Sequence, residues 1–268
     1  MMWYQTGTCL AMATAPAALS GAALAADPPP DAAAVNKAFE ALKSFDWGTD
    51  QKLLKPIDDA VMAAHSNAAL QRELEPRLAA VLKTGASRDA KDFVCRKLML
   101  IGTAASVPVL AELLADNDHS HMARYALERI PAPEAASALR DALPKLSGSL
   151  KIGVIGSLGV RRDAASVSAL ASLLSDADAK IASAAMCALG DTGNSEAARA
   201  LSACTKKASK EVHPALADAL LVTAERLLAD GKKAEAIAIY KSLGGEDQPK
   251  LIRLAATHGL LVAAGKKE

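Results

Sequence analysis

Aromatic side chains are scarce in this chain. Two Trp, three Tyr and three Phe make up 3% of 268 residues, although 51% of the residues are apolar. Ala, Leu, Val and Ile therefore carry the hydrophobicity. Strands favour aromatic and β-branched residues, whereas Ala and Leu head the helix-propensity scale. The scarcity excludes a β-rich core and predicts an all-α protein whose helices approach closely through small side chains. It also argues against sugar recognition by stacked rings. An excess of one charge is missing too: 31 Lys and Arg against 30 Asp and Glu leave a net charge of +1. No global field draws such a chain to nucleic acid or to an anionic membrane surface. The catalytic signatures CxxCH, GxSxG and HExxH are absent, as is a Gly-rich phosphate loop. Those absences remove c-type haem attachment, the serine-hydrolase elbow, the zinc-protease helix and a nucleotide cradle. No catalytic residue, metal or cofactor is expected, and the chain is read as a non-enzyme.

Long apolar runs are missing except for one. Residues 8–26 read TCLAMATAPAALSGAALAA without a charge, end on the small-x-small step Ala23-Leu24-Ala25, and lead into Asp27 and Pro28-Pro29-Pro30. That is the shape of a cleaved secretory signal peptide over 1–26, followed by a linker over 27–34. The run has no Lys or Arg before it, so a retained anchor and a misplaced start remain the alternatives. Pro16, Gly21 and the many Ala make it a poor spanning helix, so no stable membrane span is expected once the signal is removed. The expected location is periplasmic or secreted.

What the sequence does contain is a repeat. Residues 104–116 read AASVPVLAELLAD and residues 164–176 read AASVSALASLLSD. With Leu110 as anchor, the same register falls on Leu78, Leu139, Leu170 and Leu201, at spacings of 32, 29, 31 and 31 residues. Before the last four anchors lie the apolar stretches DFVCRKLMLIG, HMARYALERI, LKIGVIGSLG and KIASAAMCALG. Gly102, Pro131, Gly159 and Gly190 read as the stops of those first helices, and Asp116, Asp118, Asp176 and Asp178 as caps between copies. Each copy is an antiparallel helix pair with one apolar seam, which must stack on its neighbours to be buried. The predicted fold is an α-solenoid, a superhelix of about six stacked helix pairs, with the five anchor leucines buried.

The motif aLG…D…sVpaLaeLLaD and its period resemble HEAT repeats, in particular the short HEAT-like type named after phycobilisome lyases. The resemblance covers the array over 67–209 and implies architecture more than activity. Some HEAT-repeat hydroxylases hold two irons through paired His-Glu steps, and this sequence has no His-Glu dipeptide. Bilin lyases share the repeat type, but an uninterrupted array offers no obvious pocket for their chemistry. Residues 35–66 contain Phe39, Phe45 and Trp47 and read as an N-terminal helical cap. All three rings are expected in its core, with a ligand platform at Trp47 as the alternative. Residues 210–268 form a C-terminal extension in which AERLLADGKKAEAIAIYKSL resembles the second half of a tetratricopeptide unit.

Few residues invite a functional reading. Asp118, His119 and His121 in DNDHSH are the nearest approach to a metal set, but a helix start with Asp118 as cap explains them more simply. Cys187 and Cys204 fall at apolar positions on the two helices of one repeat. They either pair, if their Cα atoms come within about 7 Å, or remain buried thiols. Arg129 lies at the edge of one repeat, and Arg161 and Arg162 at the same edge of the next, with Arg124 and Tyr125 half a helix away. These five are the candidate partner-binding residues, through Arg forks that suit acidic groups, and the alternative is a solvated rim. The last helix, over 250–263, is expected to lack a hairpin partner of its own, and the alternative is that it packs on the previous hairpin and is itself the cap. Its Leu254, Leu260 and Leu261 are expected to contribute to an exposed apolar strip and so to association. Together these features predict a non-catalytic protein-interaction scaffold whose partner is a protein of unknown identity. The second reading is an accessory or regulatory domain of an extracytoplasmic enzyme, as part of a longer chain.

Overall fold

A computed structural model describes residues 31–205 and 208–265; the expected signal segment lies outside them. Among the described residues there are fourteen α-helices, seven short 3₁₀ turns and no strand. In chain order the helices are α1 (Ala32–Leu42), α2 (Lys55–Ala64), α3 (Ala68–Leu82), α4 (Arg88–Ile101) and α5 (Val107–Glu112). Next come α6 (Ser120–Arg129), α7 (Pro133–Ala142), α8 (Gly148–Val160), α9 (Val167–Ser172) and α10 (Ala179–Thr192). The chain continues through α11 (Ser195–Cys204), α12 (His213–Ala229), α13 (Lys233–Leu243) and α14 (Lys250–Ala263).

The helices alternate between two layers. In one, α2, α4, α6, α8, α10 and α12 each pack on the next. In the other, α3, α5, α7, α9 and α11 each pack on the first-layer helix that follows in sequence. The fold is an all-α solenoid, with one continuous core that runs from Val35 to Ala256. Leu78, Leu110, Leu139, Leu170 and Leu201 sit on α3, α5, α7, α9 and α11 and are fully buried. Short polar side chains start the helices by accepting from backbone N–H groups left over in the first turn. Asn67 Oδ1 accepts from Ala69 and Leu70, Ser87 Oγ from Ala90, and Asn194 Oδ1 from Ala197. At the N-terminal end, Asp31 caps α1, which begins at Ala32, inside the stretch read as linker; three consecutive Ala favour helix there.

Two glycines read as helix stops have another role. α8 runs past Gly159 to Val160, and α10 runs past Gly190 to Thr192. A Cβ on Gly159 would lie 2.8 Å from Ala188 Cα, and one on Gly190 would lie 3.0 Å from Ala219 Cα. Both glycines let one first-layer helix touch the backbone of the next, α8 on α10 and α10 on α12. The left-handed ends fall later. Gly193 closes α10 at φ 63°, and Arg162 takes φ 52° after α8. There the Arg162 N–H donates to Gly159 O (2.8 Å) and the Asp163 N–H to Leu158 O (3.1 Å), a Schellman-type closure. The break after α4 is extended at Gly102 rather than left-handed. No described helix is long and apolar enough to cross a membrane.

Candidate functional site

The arginine edge forms where α6 meets α8, and its members divide by what they touch. Arg161 Nη1 donates to the carbonyls of Leu127 (2.6 Å), Glu128 (3.2 Å) and Ile130 (2.7 Å), and Nη2 donates to Ala132 (3.3 Å). The carbonyls of Leu127, Glu128 and Ile130 close α6 and lie among those left without intrahelical donors, so Arg161 acts as a cap supplied by the next repeat, while Ala132 stands at the N-cap of α7. Arg124 lies along α8, where its Nη1 donates to Gly153 O (3.1 Å) and approaches Ser157 Oγ (3.4 Å). Gly153 makes the seat: a Cβ there would stand 2.5 Å from Arg124 Cζ. Ser157 Oγ in turn donates to Glu128 Oε1 at 2.7 Å. Burial draws both guanidinium groups below the ordinary arginine value, as expected for cations moved out of water.

Arg129 and Arg162 remain exposed, and Tyr125 is half-buried. The Arg129 guanidinium stands 5.7 Å from the Tyr125 ring centroid, in cation–π range. Of the five candidate residues, the structure thus leaves Arg129 and Arg162 available to a partner and ties Arg124 and Arg161 to neighbouring repeats. Asp163, next to Arg162 in the chain, pairs with Arg140 at 2.7 Å.

The residues of DNDHSH do not converge. Asp118 does not cap α6, whose first turn has no side-chain cap; Asp116 Oδ1 instead accepts from the N–H groups of Asp118 (2.8 Å) and His119 (3.2 Å) in the turn before it. The His119 ring also lies against Asp116, with Nδ1 to Oδ2 at 3.1 Å, and this contact holds the carboxyl below its ordinary value. His121 is exposed, with Nδ1 3.5 Å from Arg124 Nη2. Among the described residues no three His, Cys, Asp or Glu side chains gather to hold a metal ion. Cys187 and Cys204 are not bonded to one another. Cys187 is exposed on α10, against the apolar position expected for it, while Cys204 is buried with Sγ 3.9 Å from Leu174 O. The difference follows from helix phase: Ala185, Met186, Ala188 and Leu189 fill the inward face of α10.

Two exposed apolar features stand out. Within the cap, Phe39 and Phe45 are buried, but Trp47 is 91% exposed. It follows Phe45 in a short loop whose reversal at Gly48 (φ 82°) turns the indole outward. At the other end, α14 buries only a small-residue stripe. Ala256, Gly259 and Ala263 face inward, and a Cβ on Gly259 would strike the Tyr240 ring of α13 at 2.3 Å. Leu251 (79%), Leu254 (55%), Leu261 (45%) and Val262 (48%) stay exposed, while Leu260 is half-buried. Successive residues turn by about 100°, so these four lie on one side of α14.

No family model matches the chain, and no curated protein sequence matches it. Solved structures do resemble it. One engineered protein is 19% identical, with a TM-score of 0.42 over 87% of this chain and 69% of that one. A second engineered protein is 18% identical, with a TM-score of 0.38 over 71% and 96%. Human deoxyhypusine hydroxylase in complex with glycerol is 15% identical, with a TM-score of 0.36 over 86% and 96%.

Proposed function

We propose that this protein is a non-catalytic interaction scaffold of the periplasm or the extracellular space, built on short HEAT-like repeats of the phycobilisome-lyase type and ending in a tetratricopeptide-like hairpin. The observation that carries the reading is the apolar row on α14, where Leu251, Leu254, Leu261 and Val262 face outward together. Exposed apolar surface of this continuity marks association sites in soluble proteins. Stacked helix pairs supply the rigid frame on which such surfaces are held. The exposed pair Arg129 and Arg162 adds a second contact, suited to acidic side chains of the same protein partner. The extracytoplasmic location rests on the uncharged run over residues 8–26 and its small-x-small step.

The test is capture of proteins from a periplasmic or culture-medium fraction by the immobilised chain, run beside the quadruple change of Leu251, Leu254, Leu261 and Val262 to Ser. A protein retained by the wild type and lost by the variant, at unchanged helical content, is the expected result. Identical capture by both chains overturns the role given to α14.

A further inference from the structure

The cap covers α4 incompletely. Asp89, Asp92, Phe93, Arg96 and Lys97 recur at i, i+3, i+4, i+7 and i+8, so they share one face of that helix. On the N-terminal side the first-layer neighbour of α4 is α2. Its 10 residues span about 15 Å against about 21 Å for the 14 of α4. The remainder opens into a cavity of about 640 Å³, between the Trp47 loop, α2 and α4. Binding clefts span about 300–1,000 Å³.

The lining is chemically lopsided. Four carboxylates, Asp46, Asp58, Asp89 and Asp92, face two cations, Arg96 and Lys97. Lys97 is already occupied: its Nζ pairs with Asp58 and lies 4.6 Å from the Phe93 centroid. Asp92 Oδ1 is buried and accepts no hydrogen bond. Burial, joined by the like charge of Asp89, outweighs the attraction of Arg88, Arg96 and His119 and raises the carboxyl above its ordinary value. Asp92 is half-buried, and its one oxygen out of water without a donor carries a cost that a cation brought to it would offset in part. Over the same opening stands Trp47, the strongest cation–π partner among the side chains. Its loop is held from behind, because Ser87 Oγ donates to Phe45 O at 2.5 Å and Phe45 is buried.

We infer that the cavity between the Trp47 loop and α4 binds a basic side chain of a partner polypeptide, with the guanidinium or ammonium group between the Trp47 indole and the carboxylates of Asp89 and Asp92. The apolar stem lies along Phe93. This deepens the scaffold reading by naming what the N-terminal end of the array takes hold of. It is independent of α14.

Fluorescence of the Trp3→Phe chain, in which Trp47 is the single indole, tests this directly. The probe is the peptide Ac-Gly-Arg-Gly-amide. The matching norleucine peptide serves as the uncharged control and maltotriose as the sugar control. Saturable change with the arginine peptide alone is expected, at least fivefold weaker in Asp92→Asn. In Trp47→Ala, calorimetry replaces fluorescence and should detect no binding. Circular dichroism checks that the variants fold as the parent does. Quenching that never saturates, equal binding of the norleucine peptide, preference for maltotriose, or unchanged affinity in Asp92→Asn each overturns the inference. If the peptide fails while α14-dependent capture persists, this inference falls and the scaffold reading stands. Loss of that capture with intact peptide binding has the opposite meaning.

Discussion

The two near-identical stretches, 104–116 and 164–176, fold alike and are tied down by opposite chemistry. Each forms a 3₁₀ turn, a short α-helix and a second 3₁₀ turn: Ala104–Ser106, α5 and Leu113–Ala115 in the first copy, Ala164–Ser166, α9 and Leu173–Ser175 in the second. Val107 and Leu110 in one copy, and Val167 and Leu170 in the other, are buried. The residue seven before the anchor differs: Thr103 in the first and Asp163 in the second. In the first copy the preceding second-layer helix supplies an acid. Glu75 Oε1 accepts from the Thr103 N–H (2.7 Å) and from Ser106 Oγ (2.6 Å), while Thr103 Oγ1 donates to Oε2 (2.9 Å). In the second copy that helix supplies a base: Arg140 Nη1 donates to both oxygens of Asp163 (2.8 and 2.7 Å), while Ser166 Oγ donates to the Asp163 carbonyl (2.7 Å). The comparison shows that the apolar register defines the repeat, while the polar ties between repeats are local solutions that need only satisfy the same turn.

The largest effect should leave the two copies equal. Leu110→Ala and Leu170→Ala each remove a fully buried side chain, so each should destabilise by about 2–5 kcal/mol in urea titrations. A difference between them larger than the spread of that range would break the equivalence.

Smaller changes should separate the copies. Glu75→Ala strands the Thr103 N–H and the Ser106 hydroxyl and should cost about 1–3 kcal/mol, with Glu75→Gln milder because it keeps an acceptor. Arg140→Ala leaves Asp163 without its partner. The two side chains of that pair are 29% and 12% exposed, so solvent screens part of the attraction and about 1–2 kcal/mol is expected. Salt sharpens the contrast: raising NaCl from low to molar concentration should shrink the Arg140→Ala effect and leave the Glu75→Ala effect nearly unchanged.

Gly159→Ala tests the seam that follows the second copy. The added methyl meets Ala188 Cα at 2.8 Å, and overpacking of that kind destabilises by about 1–3 kcal/mol despite the better helix propensity of Ala. At Gly156, also on α8, an added Cβ meets nothing within 4 Å, so Gly156→Ala should be neutral or stabilising by up to about 1 kcal/mol. Equal melting temperatures for the two variants would refute the close-approach role.

The smallest perturbation is a label. In a Cys9→Ser/Cys204→Ala chain, Cys95 on α4 reports on the first copy and Cys187 on α10 on the second. Burial pushes the Cys95 thiol up to about 12, and the side chain is enclosed. Cys187 is exposed, with a thiol raised above its ordinary value by its partial enclosure. A thiol reagent at pH 8 should modify Cys187 promptly and Cys95 only at the rate of local opening. Prompt reaction of both would mean that the first copy opens far more readily than its packing implies.

Composition and register alone determined the helical class, the alternation of helices and the burial of all five anchor leucines, because periodic apolar spacing is a property of the chain and burial follows from it. They also placed an exposed apolar row on α14, where Leu254 and Leu261 face outward and Leu260 is half-buried. Local sequence could not distinguish a glycine that stops a helix from one that admits a neighbour. Gly159 and Gly190 took the second role because Ala188 and Ala219, about 29 residues away in the chain, come to lie against them. Nor could it divide the arginines of one edge. Arg161 and Arg124 are held by carbonyls of the adjacent repeat, while Arg129 and Arg162 face solvent. Trp47 followed the same rule in reverse. Its place in the cap with Phe39 and Phe45 predicted burial, but α2 is too short to cover α4, and the loop that carries the indole passes over the gap. Contacts between repeats are set by which residues stacking brings together, so only the tertiary structure decided them.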